Sequence, residues 1–150
     1  MYAYVDRPID TLCNGSRFLL WAMRGWTNAI ENRTCPPVAL APGFSSMGLM
    51  LMIQDFHLAM ALINKDGLAR MVLAPMPHRR ITEDEAVLLA LWCELTLDRR
   101  ARVRETLALL VEEDSVALVE RAMTDAVAKL KAAGLAPSDP SNGVMKEAKQ

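Results

Sequence analysis

Apolar residues recur at helical spacing along most of this chain. Leu19, Met23, Trp26 and Ile30 follow one another at steps of four, three and four, which places them on one helix face, and Phe18, Leu20 and Trp21 widen it. The pattern predicts a first helix that begins between residues 11 and 16 and runs to about residue 32. Arg17, Arg24 and Glu31 fall largely outside its apolar face, and Gly25, inside the pattern, marks a close helix contact. A second helix is predicted from residue 45 or 46 to about residue 64, carrying Met47, Met50, Met52 and Met60 among leucines and isoleucines. Between the two, residues 33–43 read as a linker, because Cys35-Pro36-Pro37 and Pro42-Gly43 are strong helix breakers. Asn64-Lys65-Asp66-Gly67 reads as a turn with Gly67 suited to a positive φ. Residues 68–74 fit either a helical turn or a short extended segment, and Pro75 and Pro77 stiffen the connector 76–80.

The stretch 82–97 organises the rest. Its middle, Ala86-Val87-Leu88-Leu89-Ala90-Leu91-Trp92-Cys93, is apolar on every side, as in a helix enclosed by its neighbours. Thr82 followed by Glu85 forms a capping box, and Glu83 and Asp84 add negative charge where the helix dipole is positive. Thr96-Leu97-Asp98 is a break, with Asp98 placed to cap a fourth helix over 99–111 whose Val103, Leu107, Leu110 and Val111 point inward. A fifth helix repeats Val116, Val119, Met123, Ala126 and Leu130 at steps of three or four, and Gly134 is placed to end it. The predicted fold class is all-α: a single-domain bundle of about five helices over 11–134, packed around the helix 82–97. An extended segment, 1–10, precedes it and a flexible tail, 135–150, follows it.

Length and composition agree with one domain. A chain of 150 residues can bury about 68–70% of its unfolded surface. The 17 basic and 18 acidic residues nearly cancel and are evenly spread, so no nucleic-acid arm or acidic tail stands out. Cys13, Cys35 and Cys93 are odd in number and widely spaced, which suggests neither a disulfide framework nor a zinc knuckle. The first residues lack the basic region and apolar run of a signal peptide. The least polar stretch, 47–63, contains Gln54, Asp55 and His57 and falls short of the roughly 20 apolar residues of a membrane span. The expectation is a chain with reduced thiols and no membrane span, in the cytoplasm.

Three features resemble a family of small uncharacterised helical proteins from alphaproteobacteria, a domain of unknown function. They are Phe18-Leu19-Leu20-Trp21-Ala22-Met23-Arg24, then Leu73-Ala74-Pro75 followed by Arg80-Ile81-Thr82 and Glu85, and the order of helices around them over residues 15–134. In that family cysteines often follow the Ala-Pro step directly; here the place is taken by Met76-Pro77-His78. The resemblance implies similar fold boundaries and no particular activity, and any role those cysteines play in the relatives does not carry over.

Motifs that carry chemistry are sparse. Gly43-Phe44-Ser45-Ser46-Met47-Gly48 has the glycine spacing of a phosphate loop, but Leu49-Met50 stands where Lys and Ser or Thr are needed. Gln54-x-x-His57 resembles the Glu-x-x-His pair of di-iron bundles without its carboxylate, so neither a metal nor a cofactor is expected. Asp55 and His57 differ by two positions, roughly 200° around a helix, and do not face one spot. Cys93 reads as a buried, poorly reactive thiol. Arg99, Arg100, Arg102 and Arg104 open the fourth helix after a short break, as in a helix-turn-helix, but they share no face and acidic residues intervene. Nucleic-acid binding is disfavoured.

Protein association remains. Six of the ten methionines lie between Met47 and Met76, which fits an interface, since methionine adapts to irregular surfaces, and equally a loosely specified core. Ala117, Leu118, Ala122, Val127, Ala128, Ala132 and Ala133 leave the fifth helix small or apolar outside its core stripe, which suits a second contact and equally a helix packed between the fourth helix and the rest of the domain. The favoured expectation is a non-enzymatic interaction or regulatory module. It would form a homodimer through the fifth helix or the Met-rich surface, and offer His78, Arg79 and Arg80 to an unidentified protein partner. The alternative is a small-molecule- or metal-binding protein, or an enzyme, with a pocket near Asp55, His57 and Cys93.

Overall fold

A computed structural model describes residues 4–138. The fold is all-α. Among the described residues six α-helices follow in order: α1 (Asn14–Glu31), α2 (Pro36–Ser46), α3 (Ile53–Asp66), α4 (Glu83–Thr96), α5 (Arg100–Leu110) and α6 (Glu113–Ala132), with short 3₁₀ turns at Ile9–Thr11 and Met50–Met52. Among the described residues no helix is long and apolar enough to cross a membrane.

The bundle has one more helix than the pattern predicts, and the extra one occupies the expected linker. Pro36 and Pro37 stand in the first turn of α2, where a backbone N–H has no helical acceptor and a fixed φ is an advantage. Pro42 does interrupt the ladder, a fault worth about 3 kcal/mol. Burial offsets it: Pro36, Leu40 and Phe44 line up at steps of four and all are buried. The second predicted helix accordingly starts later, at Ile53, after the 3₁₀ turn.

Two glycines let α1 and α2 approach. A Cβ on Gly25 would lie 2.7 Å from Leu40 Cδ2, and one on Gly43 would lie 2.1 Å from Trp21 Cη2. Aromatic rings then thread the core from helix to helix: Phe18 meets Phe44 edge-on at 4.9 Å, Phe44 lies 5.6 Å from Phe56, and Phe56 stacks on Trp92 at 6.0 Å.

Helix α4 is enclosed as its composition requires, packed by α1, α5 and α6, with Leu88, Leu91 and Trp92 buried. It shares the central place with α6, which lies against α3, α4 and α5. Ala122 and Val127 are therefore core residues, while Ala117, Leu118, Ala128 and Ala132 remain at the surface.

Several local expectations change. Gly67 has φ −64°, so chain handedness is not what requires it; a Cβ there would lie 2.7 Å from the Ile63 carbonyl oxygen, where the chain turns tightly to pair with Val111. Asp98 takes the left-handed conformation at φ 58° and ends α4, with the Arg99 N–H returning to the Glu94 carbonyl; it does not cap α5. Gly134, at φ +74°, ends α6 as expected. Residues 68–74 form no helix. Within the segment 1–10, residues 1–3 lie outside the described residues, and Ile9–Thr11 is a 3₁₀ turn rather than extended chain. Of the predicted tail, residues 139–150 lie outside the described residues, while Leu135 to Ser138 pack back on the domain: Pro137 is buried and the Tyr4 hydroxyl donates to the Ser138 carbonyl at 3.1 Å.

Candidate functional site: a cationic turn held by a buried ion pair

The connector between α3 and α4 has no helix of its own, so its shape depends on what its backbone groups find. They find Arg24 and Glu85. The side chain of Glu85 is fully buried at the start of α4, where the capping box is complete: the Glu85 N–H donates to Thr82 Oγ1 at 3.3 Å and the Thr82 N–H to Glu85 Oε1 at 2.9 Å. The Ala74 N–H donates to Oε2 at 3.0 Å. From α1, Arg24 Nε reaches Oε2 at 2.7 Å and Nη2 reaches Oε1 at 2.9 Å, a two-pronged ion pair.

The same guanidinium also holds the connector itself. Nη1 donates to the His78 carbonyl at 2.5 Å and Nη2 to the Arg80 carbonyl at 2.8 Å. The N-terminal segment closes the other side: the Ile9 N–H donates to the Arg79 carbonyl at 2.9 Å, and Ile81 and Asp6 or Arg7 exchange backbone bonds. All three carbonyls of the tripeptide 78–80 are thus occupied, and its side chains point outward. His78, Arg79 and Arg80 are exposed; Arg80 Nη1 donates to the Asp6 carbonyl at 2.9 Å, and the side chains of His78 and Arg79 have no partner among the described residues. A cleft of about 460 Å³ lies beside them, walled by Pro8, Ile9, Asp10, Arg79 and Arg80.

Burial pushes the Glu85 carboxyl up. The Arg24 hydrogen bonds, the N–H groups of Thr82 and Ala74 and the Arg24 charge outweigh it, and the group ends below its ordinary value. The carboxylate is therefore charged at neutral pH, as the four donors around it require.

The expected face of Arg24 is corrected by this network. It lies off the strict apolar stripe of α1, yet is only 3% exposed. Helical periodicity alone cannot find it, because a charged side chain marks the polar face unless its partner is known, and the partner lies 61 positions away. Arg24, Ala74, Thr82 and Glu85 come from three separate stretches of the sequence, and the fold brings them together.

The other candidate residues do not converge. Asp55 forms an ion pair with Lys129 of α6. His57 Nδ1 accepts from Trp26 Nε1 of α1 at 3.0 Å. Cys93 is buried within α4. Among the described residues, no three His, Cys, Asp or Glu side chains cluster as metal ligands. Each arginine opening α5 has a carboxylate: Arg99 and Arg102 lie by Glu94, Arg100 and Arg104 by Glu120.

Comparison with protein-family models, curated proteins and solved structures gave no match to the chain.

Proposed function

We propose that the protein is a cytoplasmic, non-enzymatic interaction module that presents Arg79 and Arg80 to a carboxylate of a protein partner. One observation carries this reading: a buried ion pair fixes the backbone of an exposed cationic turn. Burying two charges costs several kcal/mol before their attraction repays it, and apolar side chains would hold α1 to α4 at least as well. What the pair supplies is position, since one guanidinium sets two carbonyls of the turn at once. A turn fixed in advance loses little entropy on binding, and arginine is the cation best shaped for a carboxylate. Asp10, across the cleft, disfavours a second negative charge, so the fit is to a segment with one carboxylate against the arginines.

Self-association is the second part of the reading. Met47, Met50, Leu51 and Leu58 are exposed, Leu51 at 83%, and residues 44–54 contain no charged side chain. An uncharged apolar patch is its own complement across a twofold axis.

The test is affinity capture from the native host with the wild-type chain and with Arg79→Ala/Arg80→Ala, alongside light scattering of the wild type and of Leu51→Glu. The expectation is that the arginine variant loses the captured partner while its unfolding midpoint is unchanged, and that Leu51→Glu converts a dimer to a monomer. Equal recovery by both baits overturns the arginine reading, and a wild-type monomer at working concentration overturns the dimer.

A further inference from the structure

A second cleft, about 470 Å³, opens between α1, the end of α2 and the connector. Its size is that of a small-molecule site. Its walls are mostly apolar, with Phe18, Trp21, Met47 and Met76 among them. The polar groups are unusual in sign: among the described residues no acidic side chain lines the cleft, and two arginines do.

Those arginines are in different states. Arg24 is neutralised by Glu85, and its four hydrogen bonds use four of its five N–H groups. One Nη1 hydrogen remains without an acceptor among the described residues, on a side chain that is 2% exposed and lines the cleft. Arg17 sits two turns before it on the same face of α1, exposed, with no ion pair or side-chain hydrogen bond among the described residues. Among the described residues the cleft therefore carries one positive charge without a counter-charge, at Arg17, beside a second guanidinium with one N–H to spare. A ligand that completes it brings a negatively charged oxygen group and an apolar body.

The body's shape follows from the walls. The Phe18 and Trp21 rings are tilted by 37° with centroids 5.7 Å apart, so they form no parallel slot for a flat ring. Met47 and Met76 also line the cleft, and their unbranched side chains adapt to a flexible chain. We infer that this cleft binds an aliphatic monocarboxylate, with the carboxylate at Arg17 and the chain lying across Trp21 between Met47 and Met76. The site adjoins the one proposed for a protein partner, sharing Ile9 with it, but Arg79 and Arg80 do not line it; Met47 is common to this cleft and the surface proposed for self-association.

Octanoate, below its micellar range, is the probe, titrated by calorimetry and by tryptophan emission against octanol as the neutral isostere. The expected result is saturable one-to-one binding of octanoate. Arg17→Gln and the change from octanoate to octanol each weaken it about tenfold, the worth of one charge-assisted hydrogen bond. The emission change should vanish in Trp21→Phe, because Trp26 and Trp92 lie in the core. Arg17 is exposed and unpartnered among the described residues, so its replacement does not threaten the fold. Absence of saturable binding, equal affinity for octanoate and octanol, an unaltered titration in Arg17→Gln, or an emission change that survives in Trp21→Phe would each overturn the assignment.

Discussion

Arg24 and Glu85, 61 positions apart, meet through two N–H···O bonds of 2.7 and 2.9 Å, with their side chains 2% and 0% exposed. Among the described residues each is the other's only ion-pair partner, and removing one leaves a bare charge in the core. Glu85→Gln should therefore destabilise the protein by about 3–5 kcal/mol, while replacing both partners by apolar side chains should cost far less. Chemical denaturation of the two single variants and the double variant measures the coupling. A double variant as unstable as the sum of the singles would show that the pair is not a unit.

The same pair sets a pH dependence. The folded Glu85 carboxyl lies below its ordinary value of 4.5, so the folded state binds this proton less readily than the unfolded chain does. Its contribution to stability is full above the unfolded value and is lost as pH falls through the folded one. Unfolding midpoints should drop below about pH 4.5 in the wild type, and Glu85→Gln should lack this component of the acid slope. Parallel acid profiles for the two proteins would assign the slope to other carboxylates.

How far the chain announces this arrangement depends on whether the signal is local. Thr82 and Glu85 are three residues apart, and their capping box is legible because both partners sit in one turn. The apolar run from Ala86 to Cys93 likewise states its own burial. Helix α2 is hidden because Pro36, Pro37 and Pro42 argue against it locally, and only the tertiary burial of Leu40 and Phe44 overrules them. The outward-facing arginines of the connector are visible from composition alone. What fixes them is not, since Arg24 acts across half the chain and its charge imitates a surface residue.

Gly15 provides a test of the C-terminal packing. A Cβ at this position would lie 2.0 Å from the Leu135 carbonyl oxygen and 2.8 Å from its carbonyl carbon. Both are backbone atoms, which cannot rotate away as a side chain does. Gly15→Ala should gain up to about 1 kcal/mol in helix propensity and lose more than that by displacing residues 135–138, for a net destabilisation of about 1–3 kcal/mol. Hydrogen exchange should locate the loss at the Leu135 N–H, which donates to the Leu130 carbonyl at 2.9 Å. A stabilised Gly15→Ala variant would mean that this stretch does not rest on α1 in solution.

Cys13 occupies the N-cap of α1, and its thiol contacts Ser16 Oγ at 3.3 Å. Burial pushes its proton affinity up; hydrogen bonds from the side chains and backbone of Ser138 and Ser16 outweigh that, and the pKa ends below the ordinary 9.0. A helix N-terminus favours a thiolate by the same field that favours any anion. Alkylation by iodoacetamide, followed residue by residue by mass spectrometry, separates two properties here. The absolute rate reports access, and the midpoint of its pH profile reports proton affinity. The Cys13 profile should turn over below 9.0, and Ser16→Ala should move that midpoint upward because one of the bonds to the thiolate is gone. Cys93, 6% exposed inside α4, should label slowly at every pH until the protein unfolds. A Cys13 midpoint at or above 9.0, or one indifferent to Ser16→Ala, would mean that desolvation wins at this helix end and that the serine bonds do not hold the thiolate.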